Sequence, residues 1–150
     1  MPEPKPIIRK AILADIPRMA ELLRGLFSLE TEFTFNAAVQ SRGLGLLLKD
    51  SRSLVAVAEM VEKVVGMGTG QRVISTAEGG PSILVVDEAW RGHGIGRRLV
   101  EHLVDWAGTY NATRIQLLAD TTNTSALQFY QRLGFEQTRM ICLRRLERKG

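Results

Sequence analysis

Between residues 82 and 110 the chain passes from an apolar run, Ser82-Ile83-Leu84-Val85-Val86, through Arg91-Gly92-His93-Gly94-Ile95-Gly96 into a segment of helical periodicity. A run that is apolar at nearly every position reads as a strand covered on both faces. The stripe that follows, Ile95, Leu99, Leu103, Trp106 and Tyr110, thickened by Val100 and Ala107, reads as one face of a helix. Glycines at 92, 94 and 96 remove side chains where a ligand could approach the backbone. The N–H groups of a helix start lack intrahelical acceptors and lie at the positive end of its dipole. The turn therefore reads as an anion cradle suited to phosphate, with Arg91, Arg97 and Arg98 adding charge around it. The bland alternative is a tight strand-to-helix turn that happens to use glycine.

The rest of the chain arranges itself around this unit. Ile7 to Ala11 reads as a short strand. Asp15 reads as the N-cap of a helix that tolerates Pro17 in its first turn and carries Ile16, Met19, Leu22, Leu23, Leu26 and Phe27 at helical spacing. A second helix spans Asn36 to Leu48, interrupted by Gly43 and Gly45. Ser53–Met60 and Lys63–Ile74 read as a strand pair turning at Glu62-Lys63. Ile115 to Ala119 is a further strand. Asn123 or Thr124 caps a helix carrying Ala126, Phe129, Tyr130 and Leu133, with Gly134 at its C′ position. Phe135 to Leu146 reads as one or two strands. The order predicts a mixed α/β (α+β) fold around one sheet, as a single domain over 1–150.

Composition narrows the function classes. With 45% apolar and 24% charged residues, collagen-like and disordered classes are excluded. No apolar run approaches the ~20 residues of a membrane span, and the Pro-rich start has no signal-like apolar region, so no membrane partner is expected and the cytoplasm is the expected location. Cys142 is the single cysteine, read as a buried, inert thiol; with His93 and His102 it lacks ligand spacing, so no metal is expected. The net charge of +4 comes without a Lys/Arg run interleaved with aromatics, so no nucleic-acid partner is expected.

Three phosphate-binding patterns compete for the glycine turn. A Walker A loop needs a lysine that is missing here. A dinucleotide turn needs a third glycine where Arg97 stands, although Asp120 ends the next strand at a suitable distance for a ribose contact. The pattern [Q/R]-x-x-G-x-[G/A] is satisfied by Arg91 to Gly96. Here the chain resembles the GNAT superfamily of acetyl-CoA-dependent N-acetyltransferases. Asn123-Thr124-Ser125-Ala126-Leu127-Gln128-Phe129-Tyr130-Gln131-Arg132-Leu133-Gly134-Phe135 is similar to that superfamily's N-x-x-A-x-x-F-Y-x-x-x-G-F pattern, in the right order and spacing.

The resemblance implies a central, mostly antiparallel sheet with helices on both faces. Its two middle strands, near 84 and 117, would run parallel and splay to admit the pantetheine arm of acetyl-CoA. It implies that the backbone of Leu84, Val85 and Val86 pairs with that arm, and that N–H groups across Gly92, His93, Gly94, Ile95, Gly96 and Arg97 hold the pyrophosphate, with Arg91 at the first position of the motif. Asn123 would bond the arm or the following turn. Tyr130 matches the tyrosine that protonates the departing thiolate, and a backbone N–H near Val85 or Val86 would stabilise the oxyanion of acyl transfer. The glutamate that many relatives carry on the strand before the turn or after its helix is not found at Leu84–Val86 or Leu117–Leu118, so the general base stays open among Asp120, Glu78, Glu59 and a water chain. The implied function is transfer of acetyl to a primary amine, on a small molecule or a peptide, by direct attack in a ternary complex, leaving CoA. The alternatives are a CoA-binding sensor without turnover and, more distantly, a nicotinamide oxidoreductase. A homodimer is common among similar proteins. The loop Ser28-Leu29-Glu30-Thr31-Glu32-Phe33-Thr34-Phe35, with Glu30 and Glu32 beside Phe33 and Phe35, suggests an acceptor with a cationic amine and an apolar body.

Overall fold

In a computed structural model of the chain, residues 5–29, 34–90 and 94–147 are described. They fall into two compact units, one up to Leu117 and one from Leu118 onward. The first unit holds a five-stranded sheet in the order β1-β2-β3-β4-β5, with β1 Ile7–Lys10, β2 Ser53–Met60, β3 Lys63–Ser75, β4 Gly80–Trp90 and β5 Ile115–Leu117. The first four strands pair antiparallel, and β4 pairs β5 in parallel. Helices α1 Ile16–Leu29, α2 Ala37–Lys49 and α3 Ile95–Gly108 complete the unit.

Strand alternation sorts the core into two clusters. Val55, Val57 and Met67 pack with Met19, Leu22, Leu23 and Leu44 of α1 and α2. Leu54, Ala56 and Ala58, the alternate positions of β2, pack with Ile95, Leu99 and Leu103 of α3. Successive strand residues point to opposite faces, so α1 and α2 cover one face and α3 the other.

Asp15 departs from the sequence expectation. It lies in a short 3-10 turn, Leu13–Asp15, ahead of α1, and its carboxylate accepts from the Ile12 N–H at 2.8 Å instead of capping α1. Arg9 of β1 competes successfully for it. The guanidinium donates to both Asp15 oxygens at 2.8 and 2.9 Å and to Glu59 of β2 at 3.1 Å. This network staples the edge strand to its neighbour and to the entry of α1.

Three further boundaries differ. The β2–β3 turn uses Val61 and Glu62, both at positive φ (49° and 63°), one residue earlier than read, so Met60 pairs Lys63. Strand β4 runs on to Trp90 and so includes Asp87 and Glu88. The stretch 135–147 forms no strand: a strand exists only through a ladder partner, and residue type alone cannot supply one. In the strand order of the described residues the parallel pair, β4 and β5, comes last. Cys142, in that stretch, is exposed, not buried. In the second unit, α4 covers Thr124–Arg132.

The Asp15 carboxyl is held below the usual carboxylate range, first by the Arg9 hydrogen bonds. A carboxyl whose folded pKa is depressed stabilises the fold above its ordinary pKa of ~4, and that contribution is lost as pH falls through the folded value. Asp15→Asn is expected to lower stability at pH 7 by ~1–3 kcal/mol, because Arg9 loses one of its two carboxylate partners and keeps only Glu59. Denaturant unfolding at pH 7 and pH 3 checks this: the difference between variant and parent should shrink at pH 3.

Candidate active site

The site begins with an irregularity in β4. Gly68 of β3 faces Glu88 and Gly70 faces Val85, so Val86 and Asp87 together stand opposite Thr69 alone. This is a β-bulge, and it reverses the strand's alternation. Val85 packs with the α3-side cluster, whereas Ala89, four residues on, packs with the α1-side cluster. In a regular strand both would face the same way.

On the other side of β4 the parallel ladder is short. Ile83, Leu84 and Val85 pair Ile115, Gln116 and Leu117, and there β5 ends. Strand β4 continues to Trp90, so from Val86 onward it has no ladder partner on the β5 side among the described residues. The start of the pair is firmly fixed. The Arg114 carbonyl accepts from Ile83 N–H at 3.0 Å and from the buried Ser82 hydroxyl at 3.2 Å. The Arg114 guanidinium donates to Ser75 Oγ at 2.9 Å, and Glu78 accepts from Thr113 Oγ1 at 2.7 Å. The pair is clamped at its entry, and its ladder ends at Val85 and Leu117. A run of backbone N–H and C=O groups without a ladder partner is what an extended, amide-bearing ligand can pair with.

Arg91, Gly92 and His93 lie outside the described residues. Gly94 is the N-cap of α3 at φ 80°, a left-handed conformation that a side chain would strain, and it offers no side-chain cap. The first intrahelical bond recorded runs from Arg98 N–H to the Gly94 carbonyl at 3.3 Å. The N–H groups of Ile95, Gly96 and Arg97 thus belong to the orphan set of a helix start. Ile95 is 2% exposed and packs into the core, so any contact it makes with a ligand is through the backbone. Gly96 is explained by packing. A Cβ there would lie 2.6 to 3.0 Å from three atoms of the Trp90 indole. Arg97 turns along its helix and pairs Glu101 at 2.9 Å.

The second unit holds the remaining candidates. Asn123 Oδ1 accepts from Ala126 N–H at 3.2 Å, so it caps α4; of its two expected roles, this is the turn. Gly134, at φ 94°, ends the helix: its N–H reaches the Gln131 carbonyl and that of Phe135 reaches Tyr130, both at 3.0 Å. Those two bonds are a Schellman motif, and the Tyr130 and Phe135 rings make its usual apolar contact, 5.8 Å apart. Asp120 Oδ1 accepts from both the backbone N–H and the hydroxyl of Thr122 at 2.8 and 2.7 Å, and the hydroxyl bond above all holds the carboxyl below its ordinary range.

The two other carboxylates weighed as bases are engaged. Glu59 pairs Arg9, and Glu78 pairs Arg114 at 3.8 Å besides Thr113. Asp87 and Glu88 sit on β4 at the bulge and were passed over, because the strand was read to stop at Val86. The missed signal was alternation resuming at Ala89 and Trp90 after two charged residues. No group of three or more metal-ligating side chains occurs among the described residues. Of the acceptor loop, 30–33 lies outside the described residues, and the Phe35 ring already carries the Arg24 guanidinium, 4.8 Å from its centroid.

Gly96→Ala is expected to destabilise the protein by ~1–3 kcal/mol, because the indole behind it is rigid. It should also alter Trp fluorescence as the ring moves. Thermal unfolding and an emission spectrum of the variant check both effects.

Residues 16–135 match the Acetyltransferase (GNAT) family. An uncharacterized N-acetyltransferase of Methanocaldococcus jannaschii is 33% identical over 58 residues, which is 39% of this chain and 26% of that protein. The matched stretches make up 14% to 30% of the length of the curated relatives. Among solved structures, a transcriptional regulator from Bacillus halodurans C-125 aligns with TM-score 0.83 at 24% identity, covering 94% of this chain and 99% of that one. A ribosomal-protein-alanine N-acetyltransferase from Brucella melitensis biovar Abortus 2308 aligns with TM-score 0.76 at 18% identity, covering 95% and 99%. At these identities the structures speak for the fold. The match runs over most of this chain's length, and the chain belongs to the GNAT acetyltransferase family.

Proposed function

We propose that the protein transfers an acetyl group from acetyl-CoA to a primary amine, in a complex that holds both at once. The observation that carries this reading is the parting of β4 from β5 after Val85, directly before the glycine turn. The freed β4 backbone suits the amides of the pantetheine arm. The orphan N–H groups of Ile95, Gly96 and Arg97 suit its pyrophosphate, and Gly94 keeps side-chain bulk away from it. Acetyl-CoA would supply the activated thioester.

In this reading the neutral amine forms the new C–N bond as the C–S bond breaks. A backbone N–H at the bulge would stabilise charge on the carbonyl oxygen. Tyr130 would donate its hydroxyl proton to the sulfur that leaves, and Asp120 would receive the amine proton through water. Its depressed pKa makes Asp120 a weak base, so an acceptor that arrives neutral depends little on it. The acceptor is a small-molecule or peptide amine; the peptide class gains support from the name of the Brucella relative. The Arg24 stack on Phe35 weighs against using that ring for a cationic acceptor.

Calorimetry tests the cofactor. Acetyl-CoA and CoA are expected to bind at micromolar levels and NADH not to bind. Gly94→Glu should abolish binding, since it sets a carboxylate in a strained position against pyrophosphate. Unchanged affinity in that variant would overturn the assignment, and binding without thiol release for any amine in a panel would leave a CoA sensor.

The proton steps are tested by Tyr130→Phe and Asp120→Asn. Tyr130→Phe is expected to lower kcat by ~10–10³-fold with little change in CoA affinity. Asn at 120 keeps the oxygen that accepts from Thr122 and loses only the charge. A fall in kcat/KM that grows at low pH, with the melting temperature retained, would support the base role; an unchanged profile would remove it.

A further inference from the structure

The opposite end of the sheet carries a second concave surface. A depression of about 630 Å³ opens among Asp50, Arg52, Gln71, Arg72, Ile74 and Pro81, where β2 begins, β3 ends and β4 begins. Its volume lies within the ~300–1,000 Å³ of small-molecule sites. It is five residues along β4 from the bulge, roughly 17 Å, and the acetyl-transfer reading does not use it.

Its charge arrangement is unfavourable as it stands. Arg72 N–H donates to the Arg52 carbonyl at 2.9 Å, which continues the Ser53–Gln71 register, so the two arginines face each other across the β2–β3 ladder. Like charges directly opposite one another destabilise a sheet. Asp50, which feels both arginines, offsets one of the two charges and leaves the other over. Its oxygens already accept from Ser53 Oγ at 2.6 Å and Arg52 N–H at 3.1 Å, and the Arg52 guanidinium reaches it only at 3.9 Å. Arg72 lies over the Tyr110 ring at 4.3 Å, and Tyr110 is in turn edge-on to Trp106. An aromatic face positions a cation without neutralising it. Two guanidinium groups therefore share one committed carboxylate, beside an apolar wall that includes Ile74, 77% exposed, and its ladder partner Pro81.

We propose that this depression binds a small organic anion, a carboxylate or a phosphate monoester with a short apolar group. Arg52 and Arg72 divide its charge, and Ile74 and Pro81 cover its apolar part. The bound anion replaces the repulsion between the arginines with attraction.

The test is a residue-resolved NMR titration of the full chain with phenyl phosphate, with benzoate, and with benzamide as the uncharged control. Saturable shifts are expected at the Arg52 and Arg72 Nε–H groups and at the amides of 71–74 and 82–84, with benzamide silent. The stronger responder of the two anions identifies phosphate or carboxylate as the source. Arg52→Gln should weaken binding by ~10-fold or more, as loss of a charge-assisted contact does, and Arg52→Gln with Arg72→Gln should abolish it. Phenyl phosphate should raise the melting temperature of the parent and leave that of the double variant unmoved. Shifts confined to residues 94–98, shifts equal in benzamide, shifts that fail to saturate, or shifts that persist in the double variant would overturn the proposal.

Discussion

Three residue pairs, Ile83–Ile115, Leu84–Gln116 and Val85–Leu117, decide where everything else in the first unit can lie. A parallel pair cannot be closed by a tight turn; it needs a crossover, and α3 supplies it. The crossover then has to lie flat on the sheet. Gly66 and Gly70 of β3 permit this: a Cβ at 66 would come within 2.7 Å of Ile95, and one at 70 within 3.1 Å of Trp106. Larger residues there would lift α3 and carry its N-terminus away from the end of β4. The depth of the helix on the sheet thus sets the position of the orphan N–H groups that the proposed chemistry needs.

The two motifs that pointed to the family turn out to be largely statements about chain geometry. Gly94 is required by its left-handed backbone, and Gly96 by the indole of Trp90. In the second motif, Asn123 begins α4, Gly134 ends it, and Phe135 packs on Tyr130. A helix of nine residues is marginal on its own, so capping at both ends matters more to it than to a longer one. The tyrosine proposed to act in catalysis is also the C3 residue of this cap, which ties the orientation of the proposed acid to a helix terminator.

This explains which parts of the fold were legible. Helices with local signals were read nearly to the residue: α2, expected from Asn36 to Leu48, runs from Ala37 to Lys49, and Gly134 stops α4. The β2–β3 hairpin was read within a residue because its register is set locally at Val61–Glu62. What failed was non-local. The apolar tail at Met140, Ile141, Leu143 and Leu146 is strand-like in composition, but pairing depends on a partner far away in sequence, and these side chains remain 78% to 85% exposed. Asp15 was drawn from its capping role by Arg9, which no local pattern announces. The bulge at Val86–Asp87 was not anticipated, since charged residues in a strand read by themselves as its end.

The carboxylates show why the general base is the least legible part of the site. A carboxylate that serves as a base must be free to take a proton, whereas a hydrogen-bonded one is held in its charged form. Glu59 is engaged by Arg9 across β1 and β2, and Glu78 by Thr113 and Arg114 at the clamp on β5. Removing the charge from either would also loosen an element that positions β4. Asp120 differs, because its partner is neutral: Thr122 needs an oxygen atom to bond, not a charge. Of the three, it is the one where a structural duty and a chemical one can be pulled apart by a single oxygen-to-amide exchange.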